Sequence, residues 1–211
     1  MTDVILRTDA AQSVRCDGME ILLHLKCEGL SMQASLQKVQ ESADQLLASF
    51  QTASINPSSF SIENLEAISS EVSQRHLAQI VIKTSGESDL LQLKMIWQII
   101  SKMPFLVEMK VHFYLVDEDQ YYQVLHENAL IAAKNQAQKI GKLLNADISL
   151  CTTLKFENHK ESTLDFQALS FCKAVDYSEG EYPSFWLQAQ APYITLKTTA
   201  ETSWSFDCEA L

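Results

Sequence analysis

The order of the hydrophobic patterns between residues 19 and 116 constrains the fold of this chain more than any other feature. Apolar residues alternate with polar ones in the strand-like segments and recur every three or four residues in the helix-like ones. The predicted elements are a strand at 19–27, a helix at 31–50, strands at 60–72 and 76–84, a helix at 90–103 and a strand at 105–116. This order is the split βαβ arrangement, in which helices pack on one face of an antiparallel sheet. We therefore predict an α+β fold with a ferredoxin-like core.

The segments on either side of this core are predicted to extend it. They are a terminal strand at 3–13, a long third helix after residue 117, a strand at 148–157, an irregular stretch at 158–190 and a pair of strands at 193–208. No linker rich in Gly, Pro or Ser divides the chain, so we predict one domain, 1–211. The stretch 158–190 is the candidate for an inserted hairpin or subdomain.

The third helix carries a ridge of small side chains. Ala129, Ala133, Ala137 and Gly141 recur at every fourth position and so lie on one face. Small residues let a helix backbone approach a sheet or a second helix closely. Asn145 stands where the helix is predicted to end, since Asn tolerates the left-handed conformation better than most residues.

This pattern resembles the SIMPL-domain family of bacterial periplasmic and cytoplasmic proteins, also described as a domain of unknown function. The resemblance includes the ridge of the third helix, the loop Ile55-Asn56-Pro57 after the first helix and the closing strand at 193–197. It covers most of the chain except 158–190. The glycines that the family usually shows in the first strand and at the helix end are replaced here by Thr8-Asp9-Ala10-Ala11 and Asn145.

The resemblance implies a fold more than it implies a function. Members of the family are linked to stress protection and to protein association. The resemblance therefore implies a stress-related protein that acts by association. Many members carry an export signal or a lipid anchor. Here charged residues interrupt the first nine positions, which predicts no export signal and a cytoplasmic location. The alternative is a periplasmic or envelope protein whose export signal precedes Met1.

The charge of the chain argues against several classes of partner. The formal net charge is -11 and the pI is about 4.8, so the surface repels phosphate backbones and anionic lipid. We therefore expect no nucleic-acid partner. The most apolar helical stretch, 90–103, is too short and too polar to cross a bilayer, so we expect no membrane span. The five scattered cysteines are interpreted as buried free thiols in a reducing compartment.

No pattern of residues predicts a catalytic or cofactor-binding site. The five histidines lack the spacing of metal ligands, and the five glycines form no phosphate-binding loop. His126 and Glu127 are adjacent on a helix, where neighbours do not face each other. Asp117, Glu118 and Asp119 are interpreted as a helix cap and not as a cation site. We expect no enzyme, no cofactor and no metal.

Four aromatic residues in the irregular stretch are the candidates for an interaction site. Aromatic side chains among acidic ones must be buried within the domain, in a partner or in a second subunit. They are Tyr177, Tyr182, Phe185 and Trp186. The leading hypothesis is a protein that acts by self-association or partner binding, through 158–190 and the terminal strands. The alternative is a small-molecule binding protein or an undetected enzyme, with a pocket between the sheet and its helices.

Overall fold

The computed structural model of the protein describes residues 2–69, 75–162, 169–172 and 191–208, and these residues form an α+β structure as predicted. The strands are β1 (Thr2–Arg15), β2 (Gly18–Gly29), β3 (Ser61–Ser69), β4 (His76–Glu87), β5 (Val107–Tyr114), β6 (Ala146–Ser162), β7 (Leu169–Cys172) and β8 (Tyr193–Cys208). The helices are α1 (Met32–Thr52), α2 (Leu90–Ser101), α3 (Glu118–Leu144) and a short 3-10 helix, Pro57–Ser59.

The chain divides into two compact units. The first unit combines three segments that are distant in sequence, Met1–Arg15, Leu115–Thr163 and Tyr193–Leu211. The second comprises Cys16–Tyr114 and Leu164–Pro192. This division does not test whether the units fold together, so the single domain 1–211 stays a prediction.

The second unit contains the split βαβ core. Its sheet has the strand order β3-β4-β2-β5-β7, and each neighbouring pair is antiparallel. Ile21, Leu23 and Leu25 of β2 are buried, while the intervening residues are half-buried, which is the alternation expected for a sheet with one covered face. Helix α1 contacts both β2 and β4 as well as α2.

Side-chain caps fix where the helices begin. The Asp89 carboxylate accepts hydrogen bonds from the backbone N–H groups of Leu91 at 2.9 Å and Gln92 at 3.2 Å. Asp117 likewise accepts from Gln120 N at 3.2 Å, so the predicted helix cap is confirmed. Such caps stabilise a helix by about 1 kcal/mol each, because they satisfy donors that lack a partner in the first turn.

The first unit is a three-stranded antiparallel sheet, β1-β8-β6, in contact with α3. The predicted ridge is confirmed, since all four of its small residues are buried. A Cβ atom added to Gly141 would lie 2.9 Å from the carbonyl oxygen of Ala146, so the helix end approaches the following strand too closely for a side chain. Asn145 has φ 49° and ψ 46°, the predicted left-handed end of the helix.

Two predictions for the last third of the chain were wrong. Residues 193–208 form one strand and not two. Thr198 and Thr202 occupy buried positions of this strand, and because threonine is polar the hydrophobic pattern does not show that these positions are buried. The stretch 158–190 is not uniformly irregular, because β6 continues to Ser162 and 169–172 form a strand of the second unit. The rest of that stretch, 163–168 and 173–190, lies outside the described residues.

Candidate functional site

The outer edge of β1 is the candidate functional site of this chain. In the strand order of its sheet β1 is terminal, and among the described strands it pairs only with β8. The pairing runs without a shift from Thr2 opposite Phe206 to Arg15 opposite Tyr193. One edge of this strand of 14 residues therefore presents backbone N–H and C=O groups that pair with no other described strand.

The two faces of β1 differ in what they contact. Leu6, Thr8 and Val14 are buried, and the Thr8 hydroxyl donates a hydrogen bond of 2.9 Å to the carbonyl oxygen of Ala129 in α3. Alternate residues point to the opposite, open face, where the Ile5 side chain is 66% exposed. The helix therefore holds the strand from one side only.

Charged side chains on the open face are fixed by β8. The Arg7 guanidinium lies 2.7 Å from the Glu201 carboxylate, and the Thr199 hydroxyl donates to the Asp9 carboxylate at 2.7 Å. Each of these groups keeps donors or acceptors to spare, because a guanidinium carries five N–H donors and a carboxylate about four acceptor positions. Arg7 and Asp9 are thus held on one face, two residues apart, with capacity for a further partner.

The other three edges of the two sheets have features that discourage pairing. The register of β6 shifts at 148–150 and again at 151–153, and the register of β3 shifts at 62–64. Strand β7 has only four residues. Bulges and short strands protect sheet edges in natural proteins. Among the described edges, β1 combines length with an unbroken register.

A cluster of titratable groups lies on the less buried face of the second unit's sheet. His24 in β2 stands opposite Glu108 in β5, and the amide nitrogen of Gln79 lies 3.4 Å from its Nδ1 atom. The ammonium groups of Lys26 and Lys110 each lie 3.5 Å from the Glu108 carboxylate. The Nε2 atom of His24 is buried, and none of the described residues forms a hydrogen bond with it.

The charges of this cluster shift two pKa values. Burial lowers the pKa of His24, and the nearby positive charge of Lys110 lowers it further. Burial by itself would raise the pKa of Glu108, but Lys110 and Lys26 lower it to below its ordinary value. The arrangement therefore favours a neutral imidazole beside an ionised carboxylate. Sequence spacing gave no sign of it, because its members come from three strands.

Two further histidines, His112 and His126, have ordinary structural surroundings, whereas the Nδ1 atom of His76 is buried without a hydrogen bond to any described residue. His112 is exposed, as predicted from its position between buried neighbours. The His126 ring stacks on Phe156, with 3.9 Å between ring centroids, and its Nε2 atom lies 2.8 Å from Asn158 Oδ1. The Thr198 hydroxyl donates to the same oxygen at 2.8 Å, which links α3 to both β6 and β8. These contacts fix the helix on its sheet.

A cavity of about 370 Å³ lies on the first unit and is lined by residues of β1, β6 and β8, namely Arg7, Lys155, Phe156, Glu157, Thr199 and Glu201. No helical residue lines it, so it differs from the pocket predicted between sheet and helices. Within the described ranges, no three His, Cys, Asp or Glu residues are grouped as metal ligands. None of the helices described is long and apolar enough to cross a membrane.

The four aromatic candidates, Tyr177, Tyr182, Phe185 and Trp186, lie outside the described residues. The prediction of buried free thiols is confirmed in part: Cys16 is buried, and Cys27 and Cys151 are free thiols, of which Cys27 is only half-buried. Cys151 is exposed and not buried as predicted, because it lies on the outer strand β6.

Comparison with known proteins does not identify a family. No protein-family model matches the chain, and no curated protein matches it. The resemblance to the SIMPL-domain family therefore stays a prediction.

Proposed function

We propose that this chain is a non-enzymatic protein that acts by association, and that the edge of β1 is its contact surface. The observation that carries the proposal is the unbroken outer edge of β1, 14 residues long, in a chain whose other described edges are bulged or short. An edge of this kind accepts a further strand through backbone hydrogen bonds. Pairing therefore needs no rearrangement of the sheet.

The side chains of β1 support the same proposal. An edge that natural sequences protect usually carries lysines, prolines or inward-pointing charges. β1 has no Lys or Pro, its four charged residues, Asp3, Arg7, Asp9 and Arg15, balance in sign, and its exposed Ile5 adds apolar area to the edge. The resemblance to the SIMPL-domain family, which is linked to protein association and stress protection, is consistent with this role. We further propose a cytoplasmic location, because Cys27 and Cys151 are free thiols and a reducing compartment keeps thiols in this form.

The native mass of the protein tests this proposal. We expect light scattering coupled to size exclusion to give a mass above the 23.8 kDa of one chain, at concentrations near 100 µM. Replacing Ile5 with Lys places a charge on the edge and should return the mass toward that of one chain. Replacing Ile62 with Lys makes the same change at a similarly exposed position, 61% against 66%, on the bulged edge of β3 and should leave the mass unchanged.

The proposal would be overturned if the wild-type protein stayed monomeric at this concentration and also captured no partner that the Ile5→Lys variant fails to capture. An equal effect of Ile5→Lys and Ile62→Lys would show that added charge, and not the β1 edge, controls the mass.

The second candidate function is small-molecule binding or catalysis, and the cluster around His24 favours it. Perturbed pKa values and a buried imidazole nitrogen without a partner are features that binding sites and active sites share with structural ion pairs. A ligand that shifts the NMR signals of His24 and Glu108 together at micromolar concentration would promote this candidate.

A further inference from the structure

The charges of β1 select one kind of partner for its edge. Arg7 and Asp9 carry opposite charges on the same face of the strand, one on each side of Thr8. Two identical strands that pair antiparallel about a two-fold axis at Thr8 bring residue 7 of each copy opposite residue 9 of the other. The sequence is therefore complementary to itself in this register.

We infer that the partner of the β1 edge is a second copy of this chain, paired antiparallel with its two-fold axis at Thr8. The inference rests on the proposed function and adds the identity of the partner and the register. Two Arg7–Asp9 pairs form across the interface, and Ile5 of each copy lies opposite Ala11 of the other. Opposite charges that face each other across antiparallel strands stabilise the pairing, and like charges destabilise it.

Neighbouring registers are less favourable. A two-fold axis perpendicular to a sheet keeps each side chain on its own face, so the symmetric alternatives differ by one residue in the position of the axis. Moving the axis to Arg7 places the two Arg7 side chains opposite each other. Moving it to Asp9 does the same for the two aspartates. Asp3 and Arg15 lie on the same face, and an axis at Asp9 would pair them while placing the two Asp9 side chains opposite each other. Of these three positions, only the axis at Thr8 forms pairs of opposite charge without also facing two like charges.

The helices leave room for this arrangement. In the combined sheet, β6-β8-β1 of one copy continues into β1-β8-β6 of the other, and both α3 helices lie on the same face. The two β8 strands lie three strand spacings apart, roughly 14 Å, and positions midway between β8 and β1 lie two spacings apart, roughly 10 Å; α3 contacts both of these strands. Packed helices need about 8 to 10 Å between their axes, so the two copies of α3 can lie side by side.

Mixing two charge variants tests the inference. Arg7→Asp places an aspartate at both positions 7 and 9, and Asp9→Arg places an arginine at both, so each variant alone brings like charges together across the two-fold axis. We expect the dimer dissociation constant of each to rise at least about tenfold, since two repulsive pairs replace two attractive ones. In an equimolar mixture, the aspartates at positions 7 and 9 of the first variant face the arginines at positions 9 and 7 of the second. Heterodimers should therefore form with a dissociation constant within about threefold of wild type.

Comparing each variant alone with the mixture separates the effect of a substitution on pairing between copies from its effect on contacts within one copy. Arg7→Asp also loses its bond to Glu201, but that loss is the same alone and in the mixture. Asp44→Arg, on an exposed position of α1, makes the same charge change as Asp9→Arg and should not alter dimerisation. Circular dichroism of each variant checks that it is folded.

A wild-type dimer with charge variants that dimerise normally, or that fail to recover on mixing, would overturn this register while leaving association through β1 intact. A monomeric wild-type protein would overturn the proposed function itself.

Discussion

At the scale of single residues, the half-buried charges of the second unit are arranged around one carboxylate. The ammonium groups of Lys26 and Lys110 both lie 3.5 Å from the Glu108 carboxylate, and His24 stands opposite Glu108 on the neighbouring strand. The two ammonium groups compensate for the partial burial of the carboxylate. The same positive charges oppose protonation of the imidazole, so His24 is held neutral at a pH where an exposed histidine is partly charged.

We predict that the pKa of His24, followed by NMR titration of its ring, lies below the ordinary value of 6.5. Lys110→Met should raise it, because a positive charge near the imidazole is removed. Lys134→Met, on an exposed position of α3 in the other unit, should leave it unchanged. A His24 pKa that does not respond to Lys110→Met would contradict the assigned cause.

The same shift has a consequence for stability. Because the pKa of His24 is lower in the folded state, the unfolded chain takes up the proton first as the pH falls through 6.5. The contribution of His24 to the free energy of unfolding is therefore complete above this pH and decreases below it. Glu108, whose pKa is lowered, loses its contribution at more acidic pH. We expect urea midpoints to fall as the pH is lowered from 7.5 to 5.5, and His24→Gln to reduce that fall.

At the scale of elements, the ridge of α3 determines how closely the helix approaches its sheet. Ala129, Ala133 and Ala137 are buried, and Ala137 packs with Leu6 and Phe206. At the end of the ridge, Gly141 meets the backbone of Ala146, which cannot move aside as a flexible side chain could. Gly141 therefore permits both the short connection from α3 to β6 and the close approach of the helix end to Ala146.

We predict that Gly141→Val lowers the free energy of unfolding by about 1 to 3 kcal/mol, because the added side chain forces the helix end away from Ala146. Gln138→Val introduces the same side chain on the exposed face of α3 and should cost only a few tenths of a kcal/mol. Urea unfolding monitored by circular dichroism measures both. Equal losses would show that valine propensity, and not the contact, sets the cost.

The elements differ in how far the sequence predicted them. The alternation of β5, the cap at Asp117 and the end of α3 at Asn145 are local signals, and the structure confirms them. β8 was predicted as two strands because Thr198 and Thr202 occupy its buried face and hide the period of two. To predict the His24 cluster, one would have to know how β2, β4 and β5 are aligned with one another, and no local sequence pattern gives that register.

At the scale of the whole molecule, net charge sets how two copies meet. Each chain carries a formal charge of -11, so copies repel one another at long range whatever pairs form at the edge of β1. Salt screens this repulsion, since the Debye length falls from about 30 Å at 10 mM to about 8 Å at 150 mM ionic strength. The two Arg7–Asp9 pairs are short-range and are affected less.

We predict that the association rate constant rises several-fold, in stopped-flow measurements, when NaCl is raised from about 10 to 150 mM. Replacing Glu41 and Asp44, both exposed on α1, with Gln and Asn reduces the negative charge and should weaken the salt dependence. A rate constant that falls with salt would mean that attraction between oppositely charged surfaces governs the encounter.

The central position of β8 has a consequence for how the first unit is made. β1 and β6 both pair with β8, which is the last of the eight described strands to leave the ribosome. At about 5 to 20 residues per second, synthesis leaves β1 waiting roughly 10 to 40 s for its partner. During that time both of its edges are open, and nascent chains on one polysome hold identical copies of β1 close together. Premature pairing between neighbouring chains is therefore a hazard that a binding chaperone, or rapid folding of the second unit, would have to limit.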